Sequence, residues 1–330
     1  MTEAQGVLVV GEISGGHLST TTAEALTAGR ALAQQASSSV AVGLLGQDLA
    51  TVVQEALHAG ADRVYTVQDA LLATAQADLY LAALEGLCRT VGPQIILFAR
   101  TPLGRDMAPR LACRLGVSLL QDCLEVTLDA DTGRLAAIRP VYGGNVLARV
   151  RCAATPQIAV LRPKAYTPLP PDPSRQGEVI AVPVALDASM ARVTVLRQEV
   201  DHSPGIRLED ARIVVSGGRG LGGPEPFREL QELAGLLDAG IGASRAAVDA
   251  GWVPGNWQIG LTGKTIAPEL YITVGISGAS QHMAGCSGAK VIVAINKDRD
   301  ANIFRTARYG VVGDWQTVLP AFMEAVQDLK

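Results

Sequence analysis

Residues 267–298, APELYITVGISGASQHMAGCSGAKVIVAINKD, leave a folding chain few options. Two apolar runs, 270–274 and 290–295, bracket a turn made of small residues. Both runs are short, β-branched and nearly free of charge, the composition of strands buried on both faces of a parallel sheet. Between them the chain must turn and form a helix. Gly275, Gly278 and Gly285 permit positive φ or close backbone approach, and Ser277 and Ser280 are N-cap candidates for a segment carrying Gln281, His282 and Met283. A helix starting there directs unpaired N–H groups and a positive dipole end at the turn, which suits an anionic or strongly hydrogen-bonding ligand. Strand, glycine turn and helix together suggest a nucleotide cofactor. The same arrangement also serves packing alone in α/β proteins without one.

A chain of 330 residues exceeds what one hydrophobic core usually serves, so two domains are expected. With 48% hydrophobic and 18% charged residues, either half can bury a core. A net charge of −4 and the lack of a dense Lys/Arg run argue against nucleic acid as a partner. No run of 18 apolar residues occurs, so the chain is not expected to span a membrane. The start, MTEAQGVLVVGEISGG, lacks the basic and long apolar regions of an export signal. Cys88, Cys113, Cys123, Cys152 and Cys286 are scattered, odd in number and without a CxxC pair, so neither a disulfide framework nor a zinc site is expected. A cytoplasmic location follows as the simplest expectation.

Upstream, residues 6–10, 40–45, 64–67 and 95–98 read as buried strands separated by helical patterns near 20–35, 48–59 and 78–91. This alternation predicts a mostly parallel sheet with helices on both faces. GEISGGHL, with His17, lacks phosphate-loop spacing and reads as a plain loop. Gly104, Arg105 and Asp106 are expected to precede a helix carrying Met107, Leu111 and Leu115. From Val117 to Arg162 the text turns β-rich, with antiparallel strands at 124–128, 135–139, 146–151 and 158–161 expected to close the sheet, and a hairpin turn at Tyr142 to Asn145. The prolines between Arg162 and Gly177 exclude a regular helix or inner strand. Two more strands, 179–186 and 192–199, precede the linker candidate VDHSPGIRL, which places a domain boundary near residue 204. The expected domains are 1–203 and 204–330. The second opens with a strand at 212–216, the glycine turn GGRGLGG around Arg219 and a helix near 226–238, then a short helix after Ser244 and Arg245 and an irregular segment at 252–263.

No His, Cys or carboxylate spacing of a nucleophilic, metal or acid–base site is present; the four histidines are His17, His58, His202 and His282. Hydrogen-bond donors without a catalytic constellation suit a bound redox cofactor that performs its own chemistry.

PELYITVGISGASQH, VIVAINKD and YGVVGDW closely resemble the C-terminal signature of the electron transfer flavoprotein α subunit family. The resemblance continues through VVSGGRGLGG, GASRAAVDAGW, TPLGRDMAPRLACRLG and RPVYGGNVLARV, and so covers essentially the whole chain. It implies an α/β fold in which an N-terminal, mostly parallel sheet domain is followed by a C-terminal Rossmann-like domain that binds FAD. Arg219 and Ser244 are implied at the pyrophosphate, Arg245 against the flavin ring, Thr262 at the N5 side with Gln258 on the same loop, and His282 at the pyrimidine edge. Ser277 and Gln281 are implied as lining, and Asn296 and Asp314 at the adenosine end. The resemblance further implies an electron carrier rather than an enzyme, tuned by positive charge to take and release electrons singly, with a β subunit as heterodimer partner. Acyl-CoA or other dehydrogenases would donate the electrons, as in fatty acid β-oxidation, and a quinone reductase would accept them. An electron-bifurcating subunit using NADH, an NAD-dependent oxidoreductase and a cofactor-free interaction subunit are the alternatives. Family members often carry Gln before the matching TGK, where this chain has Leu261. Cys286 reads as a small packing residue.

Overall fold

A computed structural model describes residues 5–142, 146–197 and 206–329. The chain divides into two compact units, Met1–Val141 with Val146–Glu199, and Tyr142–Asn145 with Val200–Lys330. The boundary expected near 204, with His202, Pro204 and Gly205, lies outside the described residues, as do Gly143, Gly144 and Asn145 of the expected turn.

The N-terminal unit is built on a seven-stranded parallel sheet whose spatial order is Glu178–Ala181, Arg63–Gln68, Val40–Gly46, Gln5–Val10, Pro93–Ala99, Gln157–Leu161 and Leu119–Cys123. Alternate side chains enter opposite faces, as strand pleating requires. Val7 and Val9 join the core beneath helices Thr20–Gln35 and Ala50–His58, while Leu8 and Val10 join the one beneath Ala77–Val91 and Pro102–Leu115. Both cores are mostly aliphatic, with Tyr65 and Phe98 in the second, and buried, at roughly 1.5–3 kcal/mol per large side chain. The β/α alternation is therefore as the sequence predicts.

Several local expectations are corrected. Strand Gln157–Leu161 is not antiparallel; it inserts into the parallel sheet between Pro93–Ala99 and Leu119–Cys123. The antiparallel strands Glu125–Leu128, Leu135–Val141 and Val146–Arg151 form a separate small sheet instead of closing the large one. Strand Glu178–Ala181 forms at the sheet edge, but residues 192–197 form none, since β-branched residues make a strand only where they are paired. The helix expected after Asp106 already begins at Pro102, because Thr101 caps it by accepting from the Gly104 N–H. Gly104, Arg105 and Asp106 belong to its first turns, and Asp106 pairs with Arg110 one turn on. GEISGGHL is a small hairpin, Ile13–Ser14 against His17–Leu18, with His17 Nδ1 2.6 Å from Glu55 Oε1.

Glu12 follows the first strand, and Thr101 donates to its Oε1 at 2.6 Å. Burial raises its pKa to about 7, and the Thr101 hydrogen bond offsets only part of that. A folded pKa above the unfolded value means that its contribution is fully present below about pH 4.5 and is lost as pH rises through 7. Glu12→Gln keeps the acceptor for Thr101 and removes the ionisation, so it is expected to stabilise the protein by about 1 to 3 kcal/mol at pH 8. Urea unfolding at pH 8 and pH 5 checks this: the gain should shrink at the lower pH, and a pH-independent difference would refute the buried-carboxyl account.

The C-terminal unit is a six-stranded parallel sheet in the order Gln258–Ile259, Gly240–Ser244, Ile213–Gly217, Leu270–Val274, Val291–Asn296 and Tyr309–Val312. In chain order this is 3-2-1-4-5-6, the doubly wound arrangement that binds dinucleotides where the strand order reverses. Helix Phe227–Leu237 buries Leu230 and Leu233 on one face with Val215, and Val214 turns to the other beside Tyr271 and Cys286. Helix Trp315–Asp328 ends the unit. Among the described residues no helix is long and apolar enough to cross a membrane.

Candidate functional site

The chain leaves Ile213–Gly217 to one side of the sheet and returns as Leu270–Val274 on the other. Both strands end in glycine turns, Gly218–Gly220 and Gly275, which lie backbone against backbone. Gly220 N–H donates to the Gly275 carbonyl at 3.0 Å, and Gly218 N–H to the Val274 carbonyl at 2.9 Å. Gly275 has φ +66°, and a Cβ there would lie 2.9 Å from the Gly220 carbonyl carbon. This contact sets Arg219 at the mouth of a crevice beyond the strand ends.

The other wall is loop 258–266 against helix Ser280–Cys286. Leu261 N–H donates to the Gln281 carbonyl and Ile266 N–H to the Gly285 carbonyl, both at 2.7 Å. A Cβ on Gly285 would collide with the Gly260 backbone, so glycine is required for the helix to approach this loop. The helix has Ala279 as N-cap without a side-chain cap; the N-cap roles expected of Ser277 and Ser280 are not realised. Ser277 instead accepts the Ile303 N–H on its carbonyl, and the Ser280 hydroxyl points to Gln281 Oε1 at 3.3 Å.

Together these walls enclose a cavity of about 660 Å³. Arg219, Ser244, Arg245, Gln258, Thr262, Ser277, Gln281, His282 and Asn296, all singled out in the sequence, line it. Asp314 does not. Its carboxylate caps helix Trp315–Asp328 by accepting the Gln316 N–H at 3.0 Å. Asn296 is bound into the wall, donating to the Ile276 carbonyl and accepting the Asp298 N–H, both at 3.0 Å. Gln258 donates its amide to Thr262 Oγ1 at 2.9 Å, which leaves the threonine O–H free to donate elsewhere. Ser244 Oγ is buried with no hydrogen-bond partner, a cost of roughly 1–3 kcal/mol that a ligand atom would remove. Arg245 is exposed and pairs with Asp249 Oδ2 at 3.2 Å, an exposed i,i+4 contact of the weak kind.

His282 is buried in the wall of this cavity. It is 7% exposed, and burial lowers its pKa to about 4, against a smaller opposing effect of the Ile259 backbone. The imidazole is neutral at pH 7, so positive charge along this cavity belongs to Arg219 and Arg245. Because the folded pKa lies below the unfolded one, its contribution to stability is fully present above pH 6.5 and lost as pH falls toward 4. In His282→Gln, the loss of stability between pH 6.5 and 4 is expected to be smaller than in the wild type by roughly 2 kcal/mol. Equal slopes in the two proteins, measured by urea unfolding, would show that His282 is not held neutral.

Asp249, Ile276 and Asp298 line the same cavity and were not anticipated. Asp249 had a signal, lying one helical turn from Arg245. Ile276 had none, since only the position of its turn brings it there. No cluster of His, Cys, Asp and Glu suited to a metal occurs among the described residues. Two cationic guanidiniums, unspent hydroxyls and a glycine-lined switch point fit a dinucleotide with a pyrophosphate.

Comparison with known proteins agrees. Residues 7–187 match the family model "Electron transfer flavoprotein domain", and residues 207–287 match "Electron transfer flavoprotein FAD-binding domain". The chain is 39% identical over 331 residues to the electron transfer flavoprotein subunit alpha of Thermoanaerobacterium thermosaccharolyticum, covering 100% of both chains. It is 40% identical over 325 residues to the Bacillus subtilis subunit alpha, covering 98% of each. With protein FixB of Azorhizobium caulinodans it shares 42% identity over 312 residues, 92% of this chain and 83% of that one. The dinucleotide indicated by the cavity is thus FAD, and the chain belongs to the electron transfer flavoprotein α-subunit family.

Proposed function

We propose that this chain is the FAD-holding subunit of a two-chain electron carrier, with a β subunit as its heterodimer partner. Dehydrogenases, those acting on acyl-CoA among them, would supply the electrons, and a quinone reductase would receive them. The observation that carries this reading is the convergence of the sequence-predicted donors on one cavity at the switch point of the C-terminal sheet. Nothing in that cavity resembles a substrate-transforming constellation, which favours a carrier over an NAD-dependent oxidoreductase.

Bound FAD supplies a ring that takes up and gives back electrons, and the chain's own residues set how tightly it is held and at what potential. Arg219 and Ser244 would bind the pyrophosphate, the first by charge and the second by its unpartnered hydroxyl. Arg245 would lie against the ring once it leaves Asp249, a weak pair to break. Thr262, its oxygen already accepting from Gln258, would donate its proton to the ring's N5 side. His282 would meet the pyrimidine edge as a neutral dipole. Ser277, Gln281 and Asn296 would complete the wall, while Asp314 is committed to its helix cap. Leu261 lines the cavity and presents an apolar side chain there.

Co-expression with a candidate β chain, followed by a visible spectrum and mass determination, tests the proposal. A one-to-one complex that releases stoichiometric FAD on acidification is expected. A preparation that stays colourless after incubation with FAD and the β chain would reject it.

A further inference from the structure

Behind the cavity wall lies a buried polar contact that the lining residues do not explain. His282 Nε2 is 2.8 Å from the Tyr271 hydroxyl, and the two rings lie 23° from coplanar with centroids 6.2 Å apart. Tyr271 is fully buried in the Leu270–Val274 strand. Its hydroxyl is neutral, since burial drives its pKa well above the usual phenol range. Ser216, on the adjacent strand, is also fully buried, and its Oγ closes no hydrogen bond although it lies near enough to lower the Tyr271 pKa.

A neutral phenol and a neutral imidazole can pair in two senses. In the first Tyr271 donates to a bare Nε2, which puts the ring proton on Nδ1; in the second it accepts from Nε2–H and turns its own proton toward Ser216. Two observations favour the first. In the first sense the 2.8 Å contact satisfies both the Tyr271 O–H and Nε2, and only Nδ1–H is left without a partner. In the second sense two groups are left without a partner, the bare Nδ1 and the Tyr271 O–H. The second sense would in addition require a bond to Ser216 that the geometry does not close.

We propose that Tyr271 is the positioning residue for His282: its hydroxyl donates to Nε2, leaving the ring proton on Nδ1 and holding the imidazole neutral and fixed in orientation at the cavity wall. The consequence for FAD rests on the function proposed above, whereas the tautomer does not. A residue that never touches the cofactor would then set the dipole that the cofactor meets.

The test is two-bond proton–nitrogen NMR on the full chain labelled with 15N-histidine, with the His282 signals identified by their loss in His282→Gln. In the wild type without FAD, a protonated Nδ1 and a bare Nε2 are expected; an Nε2–H form or an imidazolium would overturn the proposal. Tyr271→Phe removes one oxygen, and in the folded variant the Nδ1–H share is expected to fall severalfold, since free imidazole prefers its proton on Nε2. An unchanged share would show that Tyr271 does not position the ring. Ser216→Ala should leave the Nδ1–H form in place, whereas an Nε2–H form in the wild type that turns to Nδ1–H in Ser216→Ala would show that Tyr271 donates to Ser216 instead. If Tyr271→Phe fails to fold, the wild-type and Ser216→Ala spectra still decide the direction of the bond. Repeating the wild-type spectrum after adding FAD with the β chain separates the two readings: no FAD uptake counts against the proposed function and leaves the tautomer result standing.

Discussion

Gly275→Ala is expected to abolish retention of FAD and to destabilise the C-terminal unit by about 2 to 5 kcal/mol. Two penalties combine. At φ +66° an L-residue pays for the left-handed conformation, and the added Cβ meets Gly220 backbone atoms at 2.9 and 3.0 Å and the Leu221 nitrogen at 3.0 Å. Backbone atoms cannot rotate away as a side chain tip can, so the two glycine turns must separate. Their separation displaces Arg219 and breaks the 3.0 Å bond from Gly220 N–H to the Gly275 carbonyl. Gly255→Ala is the control, in the turn Gly255–Trp257 just ahead of the loop of the opposite wall, where a Cβ meets nothing within 4 Å. Urea unfolding and the ratio of flavin to protein measure both effects. If Gly275→Ala keeps stoichiometric FAD and an unchanged midpoint, the turn-to-turn contact does not build the site.

Arg245→Ala is expected to lower the midpoint potential of bound FAD by about 60 to 130 mV, with a smaller effect on stability. A hydrogen bond or contact from a cation to a group that gains negative charge is worth about 1.5 to 3 kcal/mol. At 59 mV per tenfold change for one electron, that range converts to the shift given. The stability effect is small because Arg245 and Asp249 are 67% and 62% exposed, and such pairs contribute little. Arg245→Lys should recover part of the potential, since it restores the charge without the planar guanidinium. With His282 neutral, the effect of Arg245 should exceed that of His282→Ala. Redox titration of the three variants in the complex with the β chain decides the matter, and identical potentials in wild type and Arg245→Ala would remove Arg245 from the tuning of the flavin.

The two α/β units and the strand–glycine–helix cradle were legible because their signals are local. Strands such as Val40–Gly46 are continuous apolar runs, and helices such as Ala77–Val91 repeat their apolar face every turn. Where pairing is non-local the reading failed: nothing near Gln157–Leu161 says that its neighbours are the parallel strands Pro93–Ala99 and Leu119–Cys123, not the antiparallel strands that precede it. Residues 192–197 show the converse, β-branched text that finds no partner edge.

The same division holds at the cavity. The family resemblance carried by the glycine turns and their flanking text named Arg219, Ser244, Arg245, Gln258, Thr262, Ser277, Gln281, His282 and Asn296, and all of them line the cavity. Tertiary structure decided their condition. Burial strips His282 of its charge, Gln258 orients the Thr262 hydroxyl, and the helix cap claims Asp314, which sequence text could not separate from the cavity residues. Tyr271 is the clearest case: within an apolar strand run its letter reads as packing, and only the fold brings its hydroxyl to His282. Ionisation state and hydrogen-bond direction depend on which groups are excluded from water and which partner lies opposite, and those are set by contacts between segments far apart in the chain.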